Sequence, residues 1–256
     1  MGQMITLYRQ ELRKLLKKQS TWWCPGILIA LAVTFASLAR VNAKLFPAKA
    51  LFNDNFETGQ FLVFFIMGTA AAMVTMEYQY GTIKTVLTQS YTRGQVLVSK
   101  WLTMLTYSLI LYVGTLGLTL LLKVSLLNDK FMVFAHPSFW KQWLAATAGD
   151  FMNTWLLLSL VLLVATGFKR SGTAVAVGIV GYFLLSLVNV PMIALIKKYA
   201  WLKWNPINMF NYASQLRVAS LSHVTKLSNM QFFWGNLVYI GLFLALGWLL
   251  FRRREV

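Results

Sequence analysis

Apolar residues in this chain come in six long runs, and the segments between them hold nearly all the charge. The runs fall at about 22–40, 59–77, 101–123, 147–168, 173–196 and 231–251. A hydrocarbon core needs about 20 residues of helix to cross it, and each run reaches that length or comes close. Lipid offers no partner for an unpaired amide, so an apolar run that crosses it alone must be helical. The pattern predicts an all-α integral membrane protein: six transmembrane helices in a single transmembrane domain over 1–256.

Upstream of the first run the period changes. Ile5, Tyr8, Leu12, Leu15 and Leu16 recur at helical spacing, with Arg9, Arg13, Lys17 and Lys18 around the other side. This predicts an amphipathic interfacial helix, an elbow over 1–21 that leads into the first span. A cleaved signal peptide is the competing reading, but the apolar run from Trp22 to Ala39 is longer than the usual core of one.

Composition narrows the class. Hydrophobic residues make up 58% and charged residues 12%, against about 25% charged in soluble domains, and mean hydropathy is +0.60. That excludes an ordinary cytosolic enzyme, a disordered tail and a disulfide-stapled secreted domain. Net charge is +17, from 24 basic and 7 acidic residues. The basic residues sit between apolar runs rather than on one continuous face, which points to anionic lipid headgroups or an acidic partner at the membrane and not to nucleic acid.

An even number of spans places both termini on one side. Basic clusters flank the first and last spans, and the positive-inside rule then puts that side in the cytoplasm. Residues 41–58, 124–146 and 197–230 become outer loops; 77–100 and the turn at 169–172 lie inside. The longest outer loop carries Trp201, Trp204, Pro206, Met209, Phe210 and Tyr212. It is too apolar for a solvated linker and is expected to form an interfacial or partly re-entrant hairpin on the outer ends of the spans. Arg40, Glu77, Lys123, Asp150 and Lys169 fall at the edges of the apolar windows, with no charge near a midplane.

Candidate chemistry is sparse. His136 and His223 stand alone in predicted outer loops, and the lone Cys24 excludes an internal disulfide. Gly167 and Gly172 open like a phosphate loop, but Thr173 follows where a lysine is required, and the segment joins two spans. No catalytic residue, metal site or cofactor is expected on this chain. Gly68/Ala72 and Ala174/Gly178 give small residues at spacing four, suited to close helix packing within the chain or between subunits. Asn189 and Pro191 either bend the fifth span or mark its fraying end.

The informative stretch leaves the second span through Glu77, turns at Gly81 and starts a short helix at Thr82, with Ile83, Val86 and Leu87 on one face. It passes Lys84 and returns through Arg93 to Lys100 at the foot of the third span. A short amphipathic helix between two spans suits docking on a soluble partner, since it transmits tilt to both. A solvated connecting loop is the competing reading.

Glu77-x-x-x-Gly81-Thr82-x-Lys84-x-x-Leu87, followed by Arg93 and then Lys100, resembles the ABC-2 permease family. The likeness extends to the amphipathic N-terminal helix, the six spans and the proline-containing outer segment, with a layout most similar to bacitracin- and lantibiotic-resistance permeases. Ser90-Tyr91-Thr92 stands where the family commonly has a proline. The resemblance implies a non-catalytic membrane subunit of an ABC transporter, paired with a second copy or a paralogue. A separate ATPase chain would bind ATP and Mg. Its groove would receive a cytoplasmic coupling helix between spans 2 and 3, with Glu77, Gly81, Thr82, Ile83, Lys84, Leu87, Arg93 and Lys100 as the coupling residues. The implied task is export across the bacterial cytoplasmic membrane of an antimicrobial peptide or drug. No residue marks the substrate path. An ion-coupled secondary carrier would call for midplane charge and inverted halves; neither is visible. A non-transporting anchor or sensor would not need the compact basic loop at 77–100.

Overall fold

The computed structural model describes residues 2–79, 91–129, 137–168 and 171–253, and every element among them is helical. In chain order these are α1 (Gly2–Lys17), α2 (Gln19–Val41), α3 (Ala48–Asn53), α4 (Thr58–Gln79), α5 (Arg93–Leu126), α6 (Pro137–Ala165), α7 (Ser171–Lys198), α8 (Pro206–Met209), α9 (Tyr212–Arg217), α10 (Ser222–Thr225) and α11 (Asn229–Arg253). Six of them, α2, α4, α5, α6, α7 and α11, are long and apolar enough to cross a membrane.

The centre of the bundle is α4 against α6. On α4, Leu62, Ile66, Ala70 and Val74 recur every four residues and are all buried, so one face is committed to protein along its whole length. They meet Met104 and Leu111 of α5 and Leu158 and Leu162 of α6 in a single apolar cluster. Lipid tails supply no hydrophobic drive between spans, so close packing holds them together. A Cβ placed on Gly178 would come within 3.2 Å of Val161, which puts the Ala174/Gly178 pair against α6 inside the chain. Gly68 has nothing within 4 Å and serves no close approach here.

Burial falls off sharply at the periphery. About 56% of the apolar window of α6 is buried, but only 6% of that of α7. The most apolar span thus turns most of its surface outward, as a lipid-facing helix does and a soluble one does not. Exposed Trp22 and Trp23 at the α1 end and Trp201 and Trp204 at the opposite end mark two interfacial levels.

Several elements differ from the sequence pattern. α1 turns Leu7, Glu11 and Leu15 into the protein, with Ile5 and Leu16 exposed. The face that packs on α5 is therefore rotated from the one the apolar residues alone suggested. α5 overruns its apolar window at both ends, and its start is fixed by a capping box: the Thr92 hydroxyl accepts from the Gln95 amide, and the Gln95 side chain accepts from the Thr92 amide. α7 continues through Pro191 without a break. α6 begins at Pro137, not near 147, so Asp150 lies close to the centre of the helix while still at the start of its apolar run. The hydropathy pattern missed this because the first turns of α6 carry Lys141 and Gln142 among their tryptophans.

Candidate functional site

Two polar assemblies occupy opposite ends of the bundle. At the α1 end, the C-terminus of α4, the N-terminus of α5 and the helix α1 converge. Glu77 lies in the last turn of α4 and Arg93 opens α5. Gly81, Thr82, Ile83, Lys84 and Leu87 lie outside the described residues. Lys100 is inside the protein: its ammonium donates to Glu11 Oε2 at 2.8 Å, and both side chains are about 2% exposed. Lys14 donates to the other oxygen of Glu11 at 2.6 Å. Burial pushes the Glu11 carboxyl up, but attraction and a hydrogen bond from Lys100, with the Lys14 contact, outweigh it and hold the group below its ordinary value. One carboxylate thus joins two cations on two helices. The Tyr8 hydroxyl, 2.8 Å from Thr106 Oγ1, adds a second tie between α1 and α5.

Glu11 was not among the sequence candidates. Its signal was its place in the row Leu7, Glu11, Leu15, where a carboxylate interrupts an otherwise apolar stripe. Such a position calls for a buried cation nearby.

The opposite end is organised by residues 199–228, which fold back onto α6 and α7. The small α9 lies so close to α6 that a Cβ on Gly149 would fall 2.7 Å from Leu216 Cδ1 and 3.0 Å from the Ala213 Cα. This approach carries Arg217 onto the next residue, Asp150. The guanidinium donates from Nη1 and Nη2 to the two Asp150 oxygens at 3.0 and 2.5 Å, and its Nε lies 2.8 Å from Asp54 Oδ1. Burial disfavours the charged guanidinium, but the Asp150 and Asp54 carboxylates outweigh that and hold its pKa above the ordinary value. A planar fork on one carboxylate with its third nitrogen on another is a geometry only arginine provides.

Further side chains complete the assembly. Asn189 of α7 and Asn211 exchange amide hydrogen bonds at 2.8 and 3.0 Å. Asn153 donates to the Phe210 carbonyl at 2.8 Å, and Tyr112 shares a 2.7 Å bond with Thr154. The segment entering α4 is strained: Asn55, Phe56 and Glu57 have φ of 51°, 51° and 62°, each costing about 1–2 kcal/mol in a residue with a Cβ. The buried Asn55 side chain anchors the knot, donating to Thr147 Oγ1 at 3.1 Å and accepting from Trp143 Nε1 at 3.1 Å and Thr119 Oγ1 at 3.3 Å. Together α4, α6, α7 and α9 enclose a cavity of about 480 Å³ whose edge carries Asp54, Asp150 and Arg217. Among the described residues, no group of three or more His, Cys, Asp or Glu is placed to hold a metal ion.

Residues 7–186, from α1 to the middle of α7, match the family model described as ABC-2 family transporter protein. The chain belongs to the ABC-2 transporter family. No curated protein matches it significantly. As an ABC-2 member it is a multi-pass membrane component of ABC-type transport. The matched region contains Glu11, Lys100, Asp54 and Asp150, along with the 77–100 segment; Arg217 and the segment that carries it lie beyond.

Proposed function

We propose that this ABC-2 protein is the permease subunit of an exporter driven by a separate ATPase chain. The observation that carries the reading is the convergence, at one end of the bundle, of α1, the end of α4 and the start of α5, which brackets the Gly81–Leu87 motif and is tied by the buried Glu11–Lys100 pair. A partner seated on residues 77–100 would pull on α4 and α5 directly and on α1 through that pair. In this reading ATP and Mg bind to the ATPase and none to this chain. The permease works as a dimer with a second copy or a paralogue in the bacterial cytoplasmic membrane. Both termini are cytoplasmic, and the cargo is an antimicrobial peptide or drug. A carboxylate within a span would suit an ion-coupled carrier, but the Arg217 fork engages both oxygens of Asp150, which supports the ATP-driven reading.

Hydrolysis and topology test it together. The purified chain is expected to hydrolyse no ATP until its ATPase is added. With Cys24→Ser as background, an impermeant thiol reagent on intact cells is expected to label a cysteine at position 214 and spare one at position 90. Hydrolysis by the isolated chain, or the reverse labelling, overturns the proposal.

A further inference from the structure

We infer that the cavity between α4, α6, α7 and α9 binds the ammonium group of a cationic amphiphile. The chain as a whole is strongly basic, at +17, yet this cavity has the opposite sign. Asp54 and Asp150 line it against the single guanidinium of Arg217. Glu57 adds a third carboxylate beside it, accepting from the cavity-lining Gln60 at 2.8 Å. Nη1 and Nη2 of the guanidinium donate to Asp150, and Nε lies 2.8 Å from Asp54 Oδ1 as an ion-pair contact without a hydrogen bond. An anion entering here would meet more carboxylate than guanidinium, and the one guanidinium is already paired with two aspartates.

A cation meets a different surface. Arg217 comes closest to Asp54 at Oδ1, with no hydrogen bond between them, and the Asp54 side chain is 44% exposed where it lines the cavity. An ionised carboxylate accepts about four hydrogen bonds, so Asp54 has capacity for an ammonium. Val63, Leu157, Leu185 and Phe210 supply apolar wall, and Tyr112 and Tyr182 also line the cavity. Aromatic faces attract cations, more strongly where water is excluded. A charged head at Asp54 with an apolar body against these walls satisfies both halves of the lining. A neutral amphiphile would use only the second half.

The ammonium could belong to a soluble amphiphile or to an aminophospholipid headgroup. Recognition is the same in both cases, and competition separates them. The inference rests on the export reading only in treating a soluble ligand as cargo. Binding is measured on this chain alone, so failure to recruit an ATPase would sink the export reading and leave the site standing, and the reverse holds.

The test uses the full chain in a neutral maltoside detergent and follows fluorescence anisotropy. The probe is N-dansyl-1,6-diaminohexane, and its uncharged twin is dansylated hexylamine. Saturable binding of the cation is expected, with the twin weaker by about tenfold or more. Asp54→Asn leaves the Arg217–Asp150 fork in place and is expected to weaken the cation alone. Ser214 lines the cavity from an exposed position, so Ser214→Lys should fold normally, abolish cation binding and spare the twin. Ser214→Asp is expected to tighten it. Phosphatidylethanolamine that displaces the probe where phosphatidylglycerol does not identifies a lipid headgroup as the occupant; displacement by neither identifies a soluble amphiphile. Equal binding of cation and twin, or wild-type cation binding by both Asp54→Asn and Ser214→Lys, overturns the inference.

Discussion

Lys100 and Glu11 stand 89 positions apart in sequence and 2.8 Å apart in space, and neither side chain reaches solvent to a meaningful degree. A buried pair of this kind adds little net stability, but removing one partner strands a charge and costs about 3–5 kcal/mol. Lys100→Met leaves Glu11 only its Lys14 contact and is therefore expected to lower the thermal midpoint and to loosen α1 from α5. The combined Glu11→Leu/Lys100→Met chain, apolar on both sides, is expected to recover most of that loss. A double variant no better than the single would mean that the pair does not hold α1 in place.

The same carboxylate sets a pH dependence. Its folded pKa lies below the ordinary 4.5, so its contribution is complete above the unfolded value and is lost as pH falls through the folded one. The gap in thermal midpoint between wild type and Glu11→Gln is expected to be constant near neutrality and to close in acid. A gap that instead closes toward alkaline pH would contradict the assignment.

Coupling through 77–100 is testable at the backbone. In a helix starting at Thr82, Thr85→Pro removes an amide donor and clashes with the preceding turn, a cost of about 3 kcal/mol that so short a helix cannot absorb. Expected are normal membrane levels with weakened ATPase co-purification and lost export, and a much milder effect from Ala48→Pro as control. Wild-type transport by Thr85→Pro would reduce the segment to a connecting loop.

At the opposite end, Arg217→Gln leaves Asp150 without its fork, and about 3–5 kcal/mol of destabilisation is expected. Adding Asp150→Asn should restore part of it by removing the stranded charge. Limited proteolysis within residues 199–228 is the direct readout: cleavage should accelerate in the single variant and slow again in the double.

Two glycines should respond unequally to alanine. At Gly149 the new methyl meets the Ala213 backbone at 3.0 Å, whereas at Gly235 it meets the Met209 sulfur at 2.7 Å. A thioether swings aside and a backbone does not, so Gly149→Ala is expected to cost about 1–3 kcal/mol and Gly235→Ala clearly less. Thermal midpoints of the two variants decide it.

What could be read along the chain follows from the range of each interaction. The six spans announce themselves because burial in lipid is a local property of about 20 consecutive side chains. The inward face of α1 was half-legible: Leu7, Glu11 and Leu15 share one stripe, but the cation that makes Glu11 acceptable lies on α5. The Asp150–Arg217–Asp54 assembly was not legible at all. Each member looked like an isolated charge at the end of an apolar window or in a loop, and only the close approach at Gly149 brings them together. The positive φ angles at Asn55, Phe56 and Glu57 are imposed by the Asn55 anchors on α5 and α6, which no local propensity encodes.

The separation of Asp150 from Arg217 constrains how the protein is born. The two are 67 residues apart, and translation at about 5–20 residues per second leaves Asp150 without its counter-ion for roughly 3–13 s. During that interval α6 must enter the bilayer with an unpaired carboxylate at the end of the bundle where residues 199–228 later pack. Its apolar residues can offset that, but the nascent helix settles only once Arg217 emerges. Synthesis halted between α7 and α9 is therefore expected to leave Asp150 without its counter-ion, and α6 less firmly held than in the longer chain.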